Sequence, residues 1–158
     1  MGPAGTTLVV IKETFLENVQ REVPSMLSYK TQLDKDSMFN TPSVFAVYVS
    51  MLTLQWLKDL GGISFIEKVN EKKAALLYNE IDRNPLFKGV AAEKDRSMMN
   101  VTFNLIDGSR ENEFLEACAA ANISGIKGHR SVGGFRASIY NALTLESIQV
   151  LVDVMKNF

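Results

Sequence analysis

Histidine and cysteine are the scarcest chemistry in this chain: 158 residues hold one of each, His129 and Cys118. A lone thiol cannot close an intrachain disulfide, which suits a reducing compartment. One His and one Cys without clustered partners do not make a typical ligand set, so no metal is expected. Charge of one sign is also lacking. Seventeen Lys and Arg against eighteen Asp and Glu leave a formal net charge of −1, which removes the basic field that attracts nucleic acid. No internal repeat, low-complexity segment, Ser-His-Asp or Cys-His arrangement stands out. Gly2-Pro-Ala-Gly-Thr-Thr7 superficially suggests a phosphate loop, but it lacks the Gly-Lys-Ser/Thr ending and precedes a strand-like run, which excludes a P-loop. Residues 1–5 have no positively charged leader, and Glu13 interrupts the next apolar segment early. No secretory signal is therefore expected, and the location is read as cytoplasmic.

What is present is apolar: 46% of residues are hydrophobic, enough for a domain with a core of its own. The longest uncharged run, Ser37 to Leu57, is nominally long enough to cross a bilayer. Asn40, Thr41, Pro42, Ser43, Ser50, Thr53 and Gln55 interrupt it. Its apolar part, Val44 to Leu57, therefore reads as a buried or interfacial helix, and no membrane insertion is expected.

Periodicity supplies the elements. Thr6 to Ile11 is β-branched and uncharged and reads as a short buried strand. Glu13 to Val19 suits a short helix, and Val23 to Asp36 shows no firm period and reads as an extended loop. Asn40 or Thr41 is placed to cap a helix with Pro42 in its first turn, running to about Leu60 before Gly61-Gly62. A second helix is expected from Ile63 to Ile81, with Ile66, Val69, Leu76 and Leu77 inward and Glu67, Lys68, Glu71 and Lys72 in water. Met99, Val101, Phe103 and Leu105 alternate with polar residues as a half-buried strand does. Asp107-Gly108 ends it, and Ser109 is the expected cap of a helix carrying Phe114, Leu115 and Cys118 on one side. Strands are expected at Ile123–Ile126 and Gly134–Tyr140. A last helix from Thr144 has Ile148, Leu151, Val152 and Met155 as its stripe. The fold class is α/β (α+β), with the later strands and helices forming a small α+β layer.

One stretch concentrates the chemistry. Lys127-Gly-His-Arg-Ser-Val-Gly-Gly-Phe-Arg136 gathers the only histidine and two arginines around three glycines. Guanidinium forks match carboxylate and phosphate oxygens, and glycines let the backbone turn and a ligand approach. The combination reads as a cationic pocket for a small anionic metabolite. An isolated strand arginine is ordinarily just solvated, but alternation sets Arg136 opposite Phe135 and Ala137, away from the local core. Cys118 among alanines reads as a small core residue.

The same ten residues resemble the C-terminal signature of the phosphoserine aminotransferase family, class-V aminotransferases of pyridoxal-phosphate (PLP) fold type I. The resemblance extends over Met1-Gly-Pro-Ala-Gly-Thr-Thr7, Val23-Pro-Ser-Met-Leu27, Ser37-Met-Phe-Asn-Thr-Pro42 and Arg136-Ala-Ser-Ile-Tyr-Asn141. It implies the end of the large PLP domain and its interdomain and dimer helices over 1–80, then a small C-terminal α+β domain over 81–158. It implies transfer of an amino group between phosphoserine with 2-oxoglutarate and 3-phosphohydroxypyruvate with glutamate, in serine biosynthesis, by a homodimer. It implies that Arg136 binds the substrate carboxylate, that His129 and Arg130 bind its phosphate, and that Asn40 and Thr41 contact the PLP phosphate of the neighbouring subunit. The family's Schiff-base lysine would fall two residues ahead of Met1, so no catalytic residue is assigned in this chain and it is expected to be inactive alone. A non-catalytic phosphometabolite-binding or interaction module remains the alternative.

Overall fold

The computed structural model describes residues 2–129 and 133–158. It divides into two compact units, Met1–Asp59 and Leu60–Phe158.

The first unit is helical. It contains α1 (Glu13–Glu17), a 3-10 turn (Ser25–Leu27), α2 (Tyr29–Leu33) and α3 (Val44–Asp59). The strand expected at Thr6–Ile11 is absent: no described residue pairs with it, and Val10 is 89% exposed. Backbone donors and acceptors need a neighbouring strand to hold them extended. The loop expected over Val23–Asp36 is instead partly helical. There the Ser28 hydroxyl accepts the Thr31 N–H at 3.3 Å and caps α2, a local signal that periodicity does not reveal. Helix α3 starts later than expected. Val47 N–H bonds to the Ser43 carbonyl at 3.0 Å, so Ser43, rather than Asn40 or Thr41, precedes its first turn. Of its sixteen residues only Ala46 is buried.

The second unit carries the core. Gly61 and Gly62, both at positive φ (108° and 77°), lead into α4 (Ile63–Arg83). Then come β1 (Phe87–Gly89), β2 (Asn100–Leu105), α5 (Glu111–Ala120), β3 (Phe135–Ser138) and α6 (Leu145–Asn157). The strands form an antiparallel sheet in the order β1-β2-β3, with Phe87 opposite Leu105 and Thr102 opposite Arg136. One sheet face supplies Phe87, Val101, Phe103, Leu105, Phe135 and Ala137 to the core beneath α4, α5 and α6. Phe87, Phe103, Phe114 and Phe135 meet with ring centroids 4.9–6.2 Å apart, mostly edge to face. Each such burial is worth about 1.5–3 kcal/mol. Alternation leaves Lys88, Thr102, Asn104 and Arg136 on the opposite face, where none is buried.

Helix α6 matches its expected stripe, with Ile148, Leu151, Val152 and Met155 buried and the Thr144 hydroxyl accepting the Ser147 N–H. Two expectations fail here for local reasons. Ile123–Ile126 is not a strand, because Asn122 and Gly125 turn the chain at φ 59° and 71°. Ser109 is not the cap. The Asp107 carboxylate accepts both its N–H (3.0 Å) and its hydroxyl (2.6 Å) and opens a 3-10 turn ahead of α5. Strand β1 has no sequence signature, since three residues are too few to show an alternation.

Candidate functional site

The glycines of the 127–136 stretch shape a hairpin. Arg136 N–H bonds to the Ile126 carbonyl at 2.7 Å, Gly128 N–H to Gly134 O at 2.8 Å, and Gly133 N–H to His129 O at 2.8 Å. Residues 126–129 thus run antiparallel to 133–136, with Lys127 bridged to Phe135. Two positions demand glycine. A Cβ on Gly128 would run into the Gly133 carbonyl, and one on Gly134 (φ 64°) into the Asn104 amide; only the residue without a Cβ permits this approach.

The ladder places His129 and Arg136 on one supersecondary unit. Arg136 stands on edge strand β3, exposed, opposite Thr102. No carboxylate among the described residues forms an ion pair with it. His129 is exposed, and its backbone is tied to Gly133. Arg130 lies outside the described residues. Arg136 also lines a cleft of about 310 Å³, together with the hydroxyl-bearing Ser124, Ser138 and Ser147. Such a concave surface with a few polar groups, beside a strand that carries a guanidinium, suits a small anion.

Asn40 and Thr41 belong to the first unit. Both are exposed, and the Asn40 amide donates to the Thr41 carbonyl at 3.2 Å. They stand just ahead of α3, a sixteen-residue helix. An amide, a hydroxyl and helix-start N–H groups are the donor chemistry that a phosphate group takes, so these residues fit the phosphate end of PLP.

Sequence reasoning missed a second set of residues beside the cleft. Lys73 is fully buried in α4, and its ammonium donates to the carbonyls of Ile139 (3.1 Å), Tyr140 (2.8 Å) and Leu143 (3.0 Å). Burial pushes its pKa down. Asn70, one turn earlier and also buried, donates to the Asn141 side chain at 2.8 Å. A signal does exist: Asn70 and Lys73 fall at helical spacing between Ile66 and Leu77, on the face that goes inward. At the far end of α4 the buried Glu80 carboxylate accepts from Arg83 and Asn84, and Asn84 also reaches the Met155 carbonyl. That network ties α4 to α6 and is remote in sequence from the hairpin.

The profile of the family Aminotransferase class-V matches residues 1–151. The phosphoserine aminotransferase of Flavobacterium johnsoniae is 64% identical over 156 residues, which cover 99% of this chain and 44% of that protein. A solved structure described as "Radiation damage of the Schiff base in phosphoserine aminotransferase (structure A)" aligns with a TM-score of 0.91 at 43% identity, over 99% of this chain and 44% of its own. The PLP-bound phosphoserine aminotransferase from Trichomonas vaginalis aligns with a TM-score of 0.78 at 36% identity, over 85% of this chain and 39% of its own. The chain spans less than half the length of these relatives.

Proposed function

Since the chain belongs to the class-V aminotransferase family, we propose that it forms the substrate-gripping part of a PLP-dependent phosphoserine transaminase of serine biosynthesis, acting between phosphoserine with 2-oxoglutarate and 3-phosphohydroxypyruvate with glutamate. The observation that carries this reading is the glycine-bent hairpin, which sets an exposed Arg136 beside the cleft with no carboxylate among the described residues paired to it.

Arg136 pairs bidentately with the substrate carboxylate. His129 and Arg130 take the phosphate, whose near-dianionic charge calls for two cationic partners. The Ser124 hydroxyl of the cleft supplies a neutral donor beside that charge. Asn40 and Thr41 hold the cofactor phosphate. PLP, when bound, supplies the electron sink for amino transfer. Among the described residues, Lys73 is the one buried lysine, and its three protons are already committed to carbonyls. No lysine of this chain stands where the family holds its cofactor, so the 158 residues alone do not turn over. The assembled enzyme is a homodimer, and the apolar side chains exposed along α3, such as Phe45, Tyr48 and Trp56, are the surface that assembly covers.

The test pairs binding with turnover. Calorimetric titration of the chain is expected to show phosphoserine bound more tightly than serine, by about tenfold or more, because two charge-assisted contacts are lost with the phosphate. Adding PLP and 2-oxoglutarate is expected to produce no glutamate. Equal affinity for serine and phosphoserine removes the phosphate-binding role of His129 and Arg130. Glutamate formation removes the claim that the chain is inactive alone.

A further inference from the structure

The β3 strand that carries Arg136 is four residues long and closes the edge of the sheet. The buried Phe135 and Ala137 set its register, because a slip of one residue turns every side chain to the other face. Such a slip would bury Arg136 and expose Phe135 and Ala137. On the outer side, among the described residues, only the 126–128 segment supports β3, through a single bridge and its flanking bonds. What this alternation does not hold is the strand's C-terminal end, which frays unless the turn beyond it is anchored.

The C-terminal end of β3 runs straight into the turn that Lys73 holds. Ile139 N–H extends the sheet pairing to the Met99 carbonyl at 2.9 Å, and Leu143 N–H closes the turn on the Tyr140 carbonyl at 2.9 Å. The three carbonyls of Ile139, Tyr140 and Leu143 converge on one ammonium, which has one proton for each. Asn70 adds the strap to Asn141. On the far side, Asn100 of β2 accepts from the Ser138 and Tyr140 hydroxyls, each at 3.3 Å. No ion pair among the described residues places a carboxylate on Lys73. A buried charge compensated only by carbonyl dipoles is costly, and a methionine would fill the same space without that cost. What methionine cannot do is gather three carbonyls at one point.

We propose that Lys73 is a positioning residue for Arg136: by drawing together the carbonyls of Ile139, Tyr140 and Leu143 it anchors the C-terminal end of β3 against fraying, and so holds the guanidinium on the open face beside the cleft. The inference rests on the substrate-binding reading of Arg136 for its consequence and on the carbonyl cage alone for its geometry. Ser138, Ile139 and Leu143 all line the cleft, so the same anchor shapes its wall.

The test compares the 158-residue chain with its K73M, K73Q and F87L variants. K73M removes all three donors, K73Q keeps two, and F87L weakens the core at β1, where its ring meets Phe103, Phe114 and Phe158 rather than β3. Amide hydrogen exchange is read at Arg136, Ile139 and Leu143 relative to the α6 amides, because local release and global unfolding separate on that ratio. In K73M the three amides are expected to exchange about tenfold faster relative to α6, with K73Q intermediate and F87L unchanged in the ratio. Phosphoserine affinity should fall by about tenfold in K73M and not in F87L. If K73M does not fold, K73Q carries the same comparison. Wild-type exchange ratios in a folded Lys73 variant overturn the proposal, as does an F87L chain that reproduces the K73M pattern. Failure of the substrate reading shows differently: an R136M chain that binds phosphoserine as the wild type does, or a wild type that does not bind it, refutes that reading, while the exchange ratios still decide the role of Lys73.

Discussion

The two units treat apolar side chains in opposite ways. In Leu60–Phe158 the aromatic and aliphatic residues converge: Phe103, Phe114, Cys118 and Met155 are wholly excluded from solvent. In Met1–Asp59 they point outward, and Phe45 in α3 is 75% exposed although it lies in the most apolar helix of the chain. Both units contain strongly apolar segments, so hydrophobicity alone does not separate them. What separates them is closure. The second unit has helices and a sheet that cover one another, while in the first the 2–6 segment lies against α3 at Ala46 and Ser50 and leaves most of the helix exposed.

Removing one ring from each unit gives the largest expected contrast. Phe114→Ala is expected to cost about 3–5 kcal/mol in urea unfolding, from lost transfer energy and the cavity left among its neighbouring rings. Phe45→Ala should stay within about 0.5 kcal/mol, as substitutions at exposed positions do. Equal costs would break the comparison.

Thiol chemistry sharpens it next. Cys118 is buried and its pKa is pushed up to about 11 by that burial, so it should resist a disulfide reagent in the native chain and react on addition of urea. A Val10→Cys substitution puts a thiol at an exposed site and should react at once. Fast native labelling of Cys118 would mean that the second unit opens readily.

The smallest effect is electrostatic. Among the described residues the ion pairs all lie in the second unit, and the Arg96 fork on Asp82, at 2.6 and 2.7 Å, holds that carboxyl below its ordinary range. A depressed folded pKa gives stability that is present above the unfolded value, about 3.9, and is lost as pH falls through the folded one. The stability gap between wild type and Asp82→Asn should therefore shrink as pH drops below about 4. A gap that stays constant down to about pH 2.5 would show that the fork contributes nothing; Asp82 is half exposed, so the effect is modest.

The same contrast explains what is legible in the sequence. Helix α4, β2, β3 and α6 are readable because their periodic faces meet partners inside the chain. Thr6–Ile11 has the composition of a strand and no neighbour among the described residues to pair with, so composition misleads. Ile123–Ile126 fails because two positive-φ residues, Asn122 and Gly125, override its β-branched character. Asp107 outcompetes Ser109 as a cap because one carboxylate can accept two bonds. At the candidate site, family resemblance brings out His129, Arg130 and Arg136, and the hairpin gives His129 and Arg136 a shared framework. Lys73 stays hidden because a lysine among Glu71, Lys72 and other charged residues reads as solvated. Only its place on the inward stripe betrays it. The class-V aminotransferase resemblance and the mixed α/β fold stand as read.

The most direct measurement is the affinity of phosphoserine for the wild-type chain and for Arg136→Met, taken by calorimetry at one salt concentration. Loss of a bidentate guanidinium–carboxylate pair should weaken binding by about tenfold or more while the circular dichroism spectrum is unchanged. Unaltered affinity in a folded Arg136→Met chain would contradict the account.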